Sequence, residues 1–354
     1  MKSEESFKSQ PSHVNSVEAH VYYCITMNVY ILLALVVALS SCLLLGIFSP
    51  ERVSNWYKWL RLSFRGLLKI LLFLSGLVGL YGLWLVVGPR SAVPLRNVSE
   101  NITYEKFWAT PNSIAHLAIL DLSEKCLEVI PVRPMDDGQV IARTVLEFAQ
   151  EEQAEIAINA SFYFPFNEYP HWKTYPKSGD LVTPLGATVI DGEVIAKAAS
   201  DWWNGGYLNF LKNGSVMIGK LDADSIFAIS GKEILASNGN EILQSEDKRN
   251  YPRTLVGVNQ QSKKLFFLVV DGKQAGYSEG ISLEAARDVL LDKGATDILA
   301  FDGGGSATLV IREKGELKVL NRPIHTRIPN RQRPVANFVG LRRAKDCRMT
   351  EREL

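Results

Sequence analysis

The chain of 354 residues is poor in the side chains that build metal and redox centres. It has four cysteines and five histidines, and no two cysteines stand at CxxC or any related metal-ligand spacing. It also lacks a charge excess: 39 basic against 38 acidic residues leave a formal net charge of +1. No basic stripe lies outside one short segment near the N-terminus, which speaks against a nucleic-acid partner. Internal repeats and low-complexity tracts are absent. The familiar phosphate-binding glycine motifs are missing too. The glycine run "DGGGSAT" at 302–308 is not GxGxxG, has no P-loop lysine, and lacks the second glycine of a GxSxG nucleophile elbow.

What the chain does have is apolar residues, 47% of the total. Two uncharged runs hold many of them: "VYILLALVVALSSCLLLGIF" at 29–48 and "ILLFLSGLVGLYGLWLVVG" at 70–88. Each is long enough to span a bilayer as a helix and shows no polar face. The loop between them, 49–69, carries Arg52, Lys58, Arg61, Arg65 and Lys69 against the single acid Glu51. Positive charge beside spans favours the cytoplasmic side. The reading is a two-pass transmembrane hairpin over 29–88 behind a tail at 1–28, with the lipid bilayer as a partner and the rest of the chain extracytoplasmic. Trp56, Tyr57, Trp59 and Trp84 suit an interfacial aromatic belt. A cleaved signal peptide is the rival, but the polar tail is long for an n-region.

From residue 89 the polar, proline-punctuated segment 89–104 reads as a linker, followed by one domain at 105–345 and a tail at 346–354. The segments "NVS" and "NIT" at Asn97 and Asn101 are glycosylation sequons. The domain's texture is α/β with a strand-rich, mixed α+β character. Short apolar runs end in turn residues, as in "AHLAILDL", "EIAINASFYF", "TLVGVN" and "KLFFLVVDG". "VIDGEV" signals a hairpin at Asp191-Gly192, and "ARTVLEFAQEEQA" at 142–154 a helix. Cys126 and Cys347 fall in this outer part, where a disulfide and two free thiols both fit the sequence.

The block 264–311 carries the most information. A strand "LFFLVV" ends at Asp271, Ser282 caps a helix "LEAARDVLLDK" closed by Gly294, and a second strand "TDILAF" ends at Asp302. Strand, helix, strand at this spacing predicts a parallel crossover, which sets both aspartates at one edge of a sheet. As neighbours their strands would lie about 4.8 Å apart, close enough for the two carboxylates to share a substrate or a divalent cation. Asp-Gly is a turn dipeptide in its own right; two at matched strand ends favour a site. Gly303, Gly304 and Gly305 then offer bare backbone amides as an anion nest, with Ser306 as a further donor.

"LAFDGGGSATLV" resembles the signature of the phosphodiester glycosidase family. The likeness continues in order through "AINASFYF" at 157–164, "PLGATVIDGEVI", "PRTLVGVN", the long block ending in the glycine run, and "NRPIH…RPVANFVGL", covering about residues 115–342. The family usually has glycine where this chain has Ala160 and Ser161. The resemblance implies hydrolysis of a sugar from a carbohydrate phosphodiester, a sugar-1-phosphodiester; bacterial members are associated with exopolysaccharide.

For that chemistry Asp302 and Asp271 are the candidate catalytic carboxylates, one serving water or attacking the anomeric carbon and the other assisting the leaving group. Arg253 offers a bidentate fork to the phosphate, and Arg333 a second anion contact. Asn159 and Ser278 are candidates for sugar hydroxyls. The competing functional reading is a non-catalytic glycan-binding or assembly protein of an exopolysaccharide system.

Overall fold

The computed structural model describes residues 55–87 and 90–344, except 124–125, 133–134, 136–137, 166–175, 198–204 and 243–246, together with Cys347. The first apolar run, the N-terminal tail, Cys24, Cys42 and His171 lie outside the described residues. The chain divides into two units, Met1–Tyr81 and Gly82–Leu354.

Helix α1, Asn55–Val87, takes in the second apolar run as far as Val87 and residues 55–69 of the basic segment expected to be a loop. The segment holds good helix formers such as Leu60, Leu62, Leu67 and Leu68 and no proline, so nothing in it stops the helix. Within it Phe64–Trp84 is 21 residues of mean hydropathy 1.9, long and apolar enough to cross a membrane. Most of its large side chains are exposed, Phe73 by 66% and Val78 by 71%.

The second unit, Gly82–Leu354, is built on strands. An eight-stranded sheet comprises β1 (Val93–Asn97), β2 (Ile102–Thr110), β3 (Ser113–Asp121), β14 (Glu233–Ser237), β15 (Asn240–Glu241), β16 (Arg253–Asn259), β17 (Lys264–Val270) and β18 (Asp297–Ala300). Their order is β1-β2-β3-β17-β16-β18-β14-β15. One five-stranded sheet, in order, is β10 (Glu193–Ala196), β9 (Thr188–Ile190), β13 (Ser225–Gly231), β11 (Gly206–Leu211) and β12 (Val216–Gly219). The other is β20 (Glu316–Val319), β19 (Leu309–Glu313), β6 (Ile156–Asn159), β21 (Phe338–Arg343) and β4 (Leu127–Val129). A small sheet joins β5 (Val140–Ile141), β8 (Leu181–Pro184) and β7 (Tyr163–Phe164). The helices are α2 (Val145–Glu151), with a Thr144–Glu147 capping box, and α3 (Leu283–Asp292), capped by Ser282.

The uninterrupted apolar run of β17 is explained by burial of both its faces. Leu265, Phe267 and Val269 join the core shared with the two five-stranded sheets, while Phe266, Leu268 and Val270 pack beneath α3 against Leu283, Ala286 and Leu290. A third core lies under α2, where the Phe148 and Phe338 rings stack at 4.3 Å. The hairpin at Asp191-Gly192 forms as expected, with φ of 52° and 81°.

Two expectations are corrected. The linker at 89–104 contains β1 and the start of β2, because Ile102 and Tyr104 are buried core residues that pair with β3. The strands around α3 share one direction but are not neighbours. Both β17 and β18 pair antiparallel with β16, which runs between them. The Asp271 and Asp302 strand ends therefore stand two strand spacings apart, roughly 10 Å, and not one.

Candidate active site

Strand β16 begins at the edge where β17 and β18 end, since Arg253 pairs with Val270 and Leu255 with Ala300. The sheet thus brings Arg253 between the two aspartates. A cavity of about 410 Å³ opens here, lined by Asp302, Gly303, Gly304, Tyr251, Arg253 and Arg333, with Asp247, Arg249, Lys232 and the aromatic side chains of Phe162, Tyr163 and Phe164. Asp271 does not line it.

Asp302 is held through both its backbone and its side chain. Its amide donates to the Ala160 carbonyl at 2.9 Å, and its own carbonyl accepts from Asn159 Nδ2 at 2.6 Å. Its carboxylate Oδ2 accepts from Ser306 Oγ at 2.6 Å. Burial pushes the carboxyl up from the ordinary 3.8 to about 7, against the opposing pull of the Ser306 and Gly303 hydrogen bonds and the Lys273 charge. A carboxyl titrating near neutrality suits proton transfer. Ser306 in turn accepts from Arg333 Nη1 at 3.2 Å, and Arg333 Nε donates to His325 Nδ1 at 3.2 Å. Burial and the Arg331 charge lower His325 to about 4, leaving a neutral ring to accept that bond.

The three glycines are explained by close approach. A Cβ on Gly303 would meet the Pro252 carbonyl oxygen at 2.4 Å, and one on Gly305 would meet Arg333 Nη2 at 2.5 Å. Gly304 has a φ of +63° and lies against the Tyr251 ring. The expected amide nest is corrected at Gly303, whose amide bonds the Asp302 carboxylate, and at Gly304. Gly304 N–H donates to Pro252 O at 2.9 Å and Ser306 N–H to Gly303 O at 3.2 Å, so the turn uses these donors itself.

Other candidates also take new places. Asp271 is 1% exposed; its Oδ2 accepts from His116 Nε2 at 2.9 Å and Tyr277 Oη at 3.0 Å. Its Oδ1 accepts from Arg322 N–H at 2.8 Å and Asn321 Nδ2 at 3.2 Å. Those contacts, His116 foremost, outweigh burial and hold its carboxyl below the usual range. With four donors on two oxygens and β16 intervening, Asp271 is a buried brace; the arrangement does not bring it to share a substrate or cation with Asp302. Ser278 braces the same corner, accepting from Ile114 N–H and donating to Asp271 O. Asn159, 1% exposed, accepts from Thr254 Oγ1 and Thr308 N–H and fixes the Asp302 backbone instead of a sugar. Arg253 reaches the cavity but is engaged by Asp247. Among the described residues no group of three or more His, Cys, Asp or Glu stands together as metal ligands.

Sequence reasoning passed over Tyr251, Lys273, Asp247 and Arg249. Asp247 and Arg249 sit in the run "SEDKRN", where Asp247 binds both Arg249 and Arg253 and is held well below the usual carboxylate range. Tyr251 lies two residues before Arg253, a proximity that was the one available signal.

The phosphodiester glycosidase family model matches residues 152–342. The chain belongs to the phosphodiester glycosidase family. Among solved structures, this family member is similar to the catalytic domain of zebrafish N-acetylglucosamine-1-phosphodiester alpha-N-acetylglucosaminidase, described as auto-inhibited by its pro-peptide. Identity is 20%, the alignment covers 72% of this chain and 87% of that one, and the TM-score is 0.50. A hypothetical protein from Synechocystis matches at 14% identity over 71% of this chain and 64% of its own, with TM-score 0.47. A putative exported protein from Burkholderia pseudomallei matches at 13% identity over 65% and 74%, with TM-score 0.41. No curated protein matches the sequence.

Proposed function

We propose that this phosphodiester glycosidase family member hydrolyses glycosyl-1-phosphodiesters of envelope or extracellular glycans, with Asp302 as the general base. The observation that carries the reading is the Asp302 carboxylate, oriented by Ser306 on the wall of a cavity that also presents Arg249, Arg253, Arg333 and Lys232; burial pushes that carboxyl up to about 7. In the step, water oxygen bonds to the anomeric carbon and passes its proton to Asp302. The bond from that carbon to the phosphate oxygen breaks, and its electron pair leaves on the phosphate monoester. Positive side chains around the cavity favour the anionic substrate.

The test is release of free sugar from a panel of defined glycosyl-1-phosphodiesters by the parent protein and by Asp302→Asn. The expected loss is 10²-fold or more with the fold retained. Full activity in the variant removes Asp302 from the mechanism, and glycan binding without turnover in the parent favours the non-catalytic reading.

Membrane anchoring with the domain outside the cytoplasm belongs to the same proposal. It is supported by the exposed apolar span Phe64–Trp84 and by the Cys126–Cys347 disulfide, which suits an oxidising compartment. A reporter fused after residue 354 is expected to be extracytoplasmic; a cytoplasmic signal overturns this placement.

A further inference from the structure

The leaving phosphate needs hydrogen-bond donors, and the guanidinium groups of Arg253 and Arg249 at the cavity are each held in place by protein acceptors through part of their five N–H groups. Arg253 donates from Nε to Ile281 O at 2.9 Å, from Nη1 to Asp247 at 3.1 Å and from Nη2 to Arg249 O at 2.7 Å. Arg249 is held by Asp247 through Nε and Nη2. Arg333 serves Ser306 and His325, and Lys232 pairs with Glu233 at 3.5 Å.

Lys273 differs. Its ammonium sits 3.9 Å from the Tyr251 ring centroid, and its single side-chain hydrogen bond among the described residues goes to the Tyr251 phenol oxygen. An ammonium has three N–H donors, so two remain. Because the phenol oxygen accepts from Lys273, its own O–H is directed elsewhere, and Tyr251 lines the cavity.

The pair is built with care. Lys273 has φ of +55°, a left-handed conformation that a lysine adopts at a cost. Tyr251 exchanges backbone hydrogen bonds with Ile281 at 3.2 and 3.1 Å. Gly280, at φ +91°, permits this approach, since a Cβ there would meet the Tyr251 carbonyl at 2.4 Å. The Tyr251 ring rests on Gly304, two residues from Asp302.

The geometry points to Tyr251 and Lys273 as the catalytic pair that receives the departing phosphate oxygen, an assignment resting on the glycosidase reading above. As the bond from the anomeric carbon to that oxygen breaks, the electron pair stays on it. The Tyr251 O–H and a Lys273 N–H hydrogen-bond to the growing charge, and no proton need be transferred, because a phosphate monoester is a stable anion. Such bonds strengthen in the transition state and so act on kcat more than on KM.

The full-length chain is compared with Tyr251→Phe, Lys273→Met and Lys273→Arg in kcat and KM on the phosphodiester panel, with calorimetric titration of inorganic phosphate alongside. Tyr251→Phe and Lys273→Met are each expected to lower kcat about 10²-fold. Lys273→Met is expected to weaken phosphate binding by about tenfold or more, and Lys273→Arg to restore part of both. Values within about twofold of the parent for both variants overturn the assignment. If Lys273→Met melts early, Tyr251→Phe, which removes one oxygen, decides. A parent that binds phosphate through Lys273 yet hydrolyses nothing upholds the phosphate site and overturns the glycosidase reading; hydrolysis indifferent to both variants does the reverse.

Discussion

Asp302 ties stability and activity to the same proton. Its folded-state carboxyl is raised from 3.8 to about 7 by burial, so between those values the folded protein holds a proton that the unfolded chain has released. Stability from this group is therefore fully present below about pH 4 and is lost as pH rises through about 7. Asp302→Asn removes the dependence, and its melting temperature relative to the parent is expected to climb between pH 4 and pH 8. Activity runs the other way. A general base must be ionised, so kcat/KM is expected to rise about tenfold per pH unit below 7 and level off above it. A profile flat across that range counts against the base role.

At the scale of elements, the corner where β17 ends is locked by Asp271. Its four donors come from β3, the turn after β17, and the segment at 321–322; Tyr104 Oη meets His116 Nδ1 at 2.8 Å behind them. Asn321 also bonds Leu309 N–H and Ala307 O, immediately after the glycine turn. Asp271→Ala leaves these donors buried without an acceptor and is expected to cost about 3 kcal/mol or more in urea denaturation. A loss below about 1 kcal/mol would contradict the bracing role. Much of this architecture was legible beforehand. The hairpin, both short helices and the shared edge of Asp271 and Asp302 followed from periodicity, caps and turn residues. The insertion of β16 between β17 and β18 was not, because local patterns do not encode which strands pair. For the same reason Asp271 read as a catalytic partner: an aspartate that ends a strand looks alike whether its carboxylate meets a ligand or His116. Lys273 and Tyr251, separated by 22 positions, meet through tertiary contacts alone.

On the scale of the whole molecule, the strand-built unit is closed by chain segments far apart in sequence. β3 pairs with β17 over seven residue pairs, from Lys264–Asp121 to Val270–Ala115. The Cys126–Cys347 disulfide spans 221 residues and fastens the chain beside β4 to the chain beyond β21, so that both sides of the glycosidase match are tied together.

The pairing of β3 with β17 means that sequence similarity and foldability have different borders. A fragment cut to residues 152–342 keeps the signature motifs but strips β17 of one neighbour, leaving "KLFFLVV" as a bare edge with no charge after its first residue. Such an edge is an open template for a second copy. That fragment is expected to sediment from a cleared lysate, whereas residues 90–354, which restore β1 to β3, are expected to stay in the supernatant.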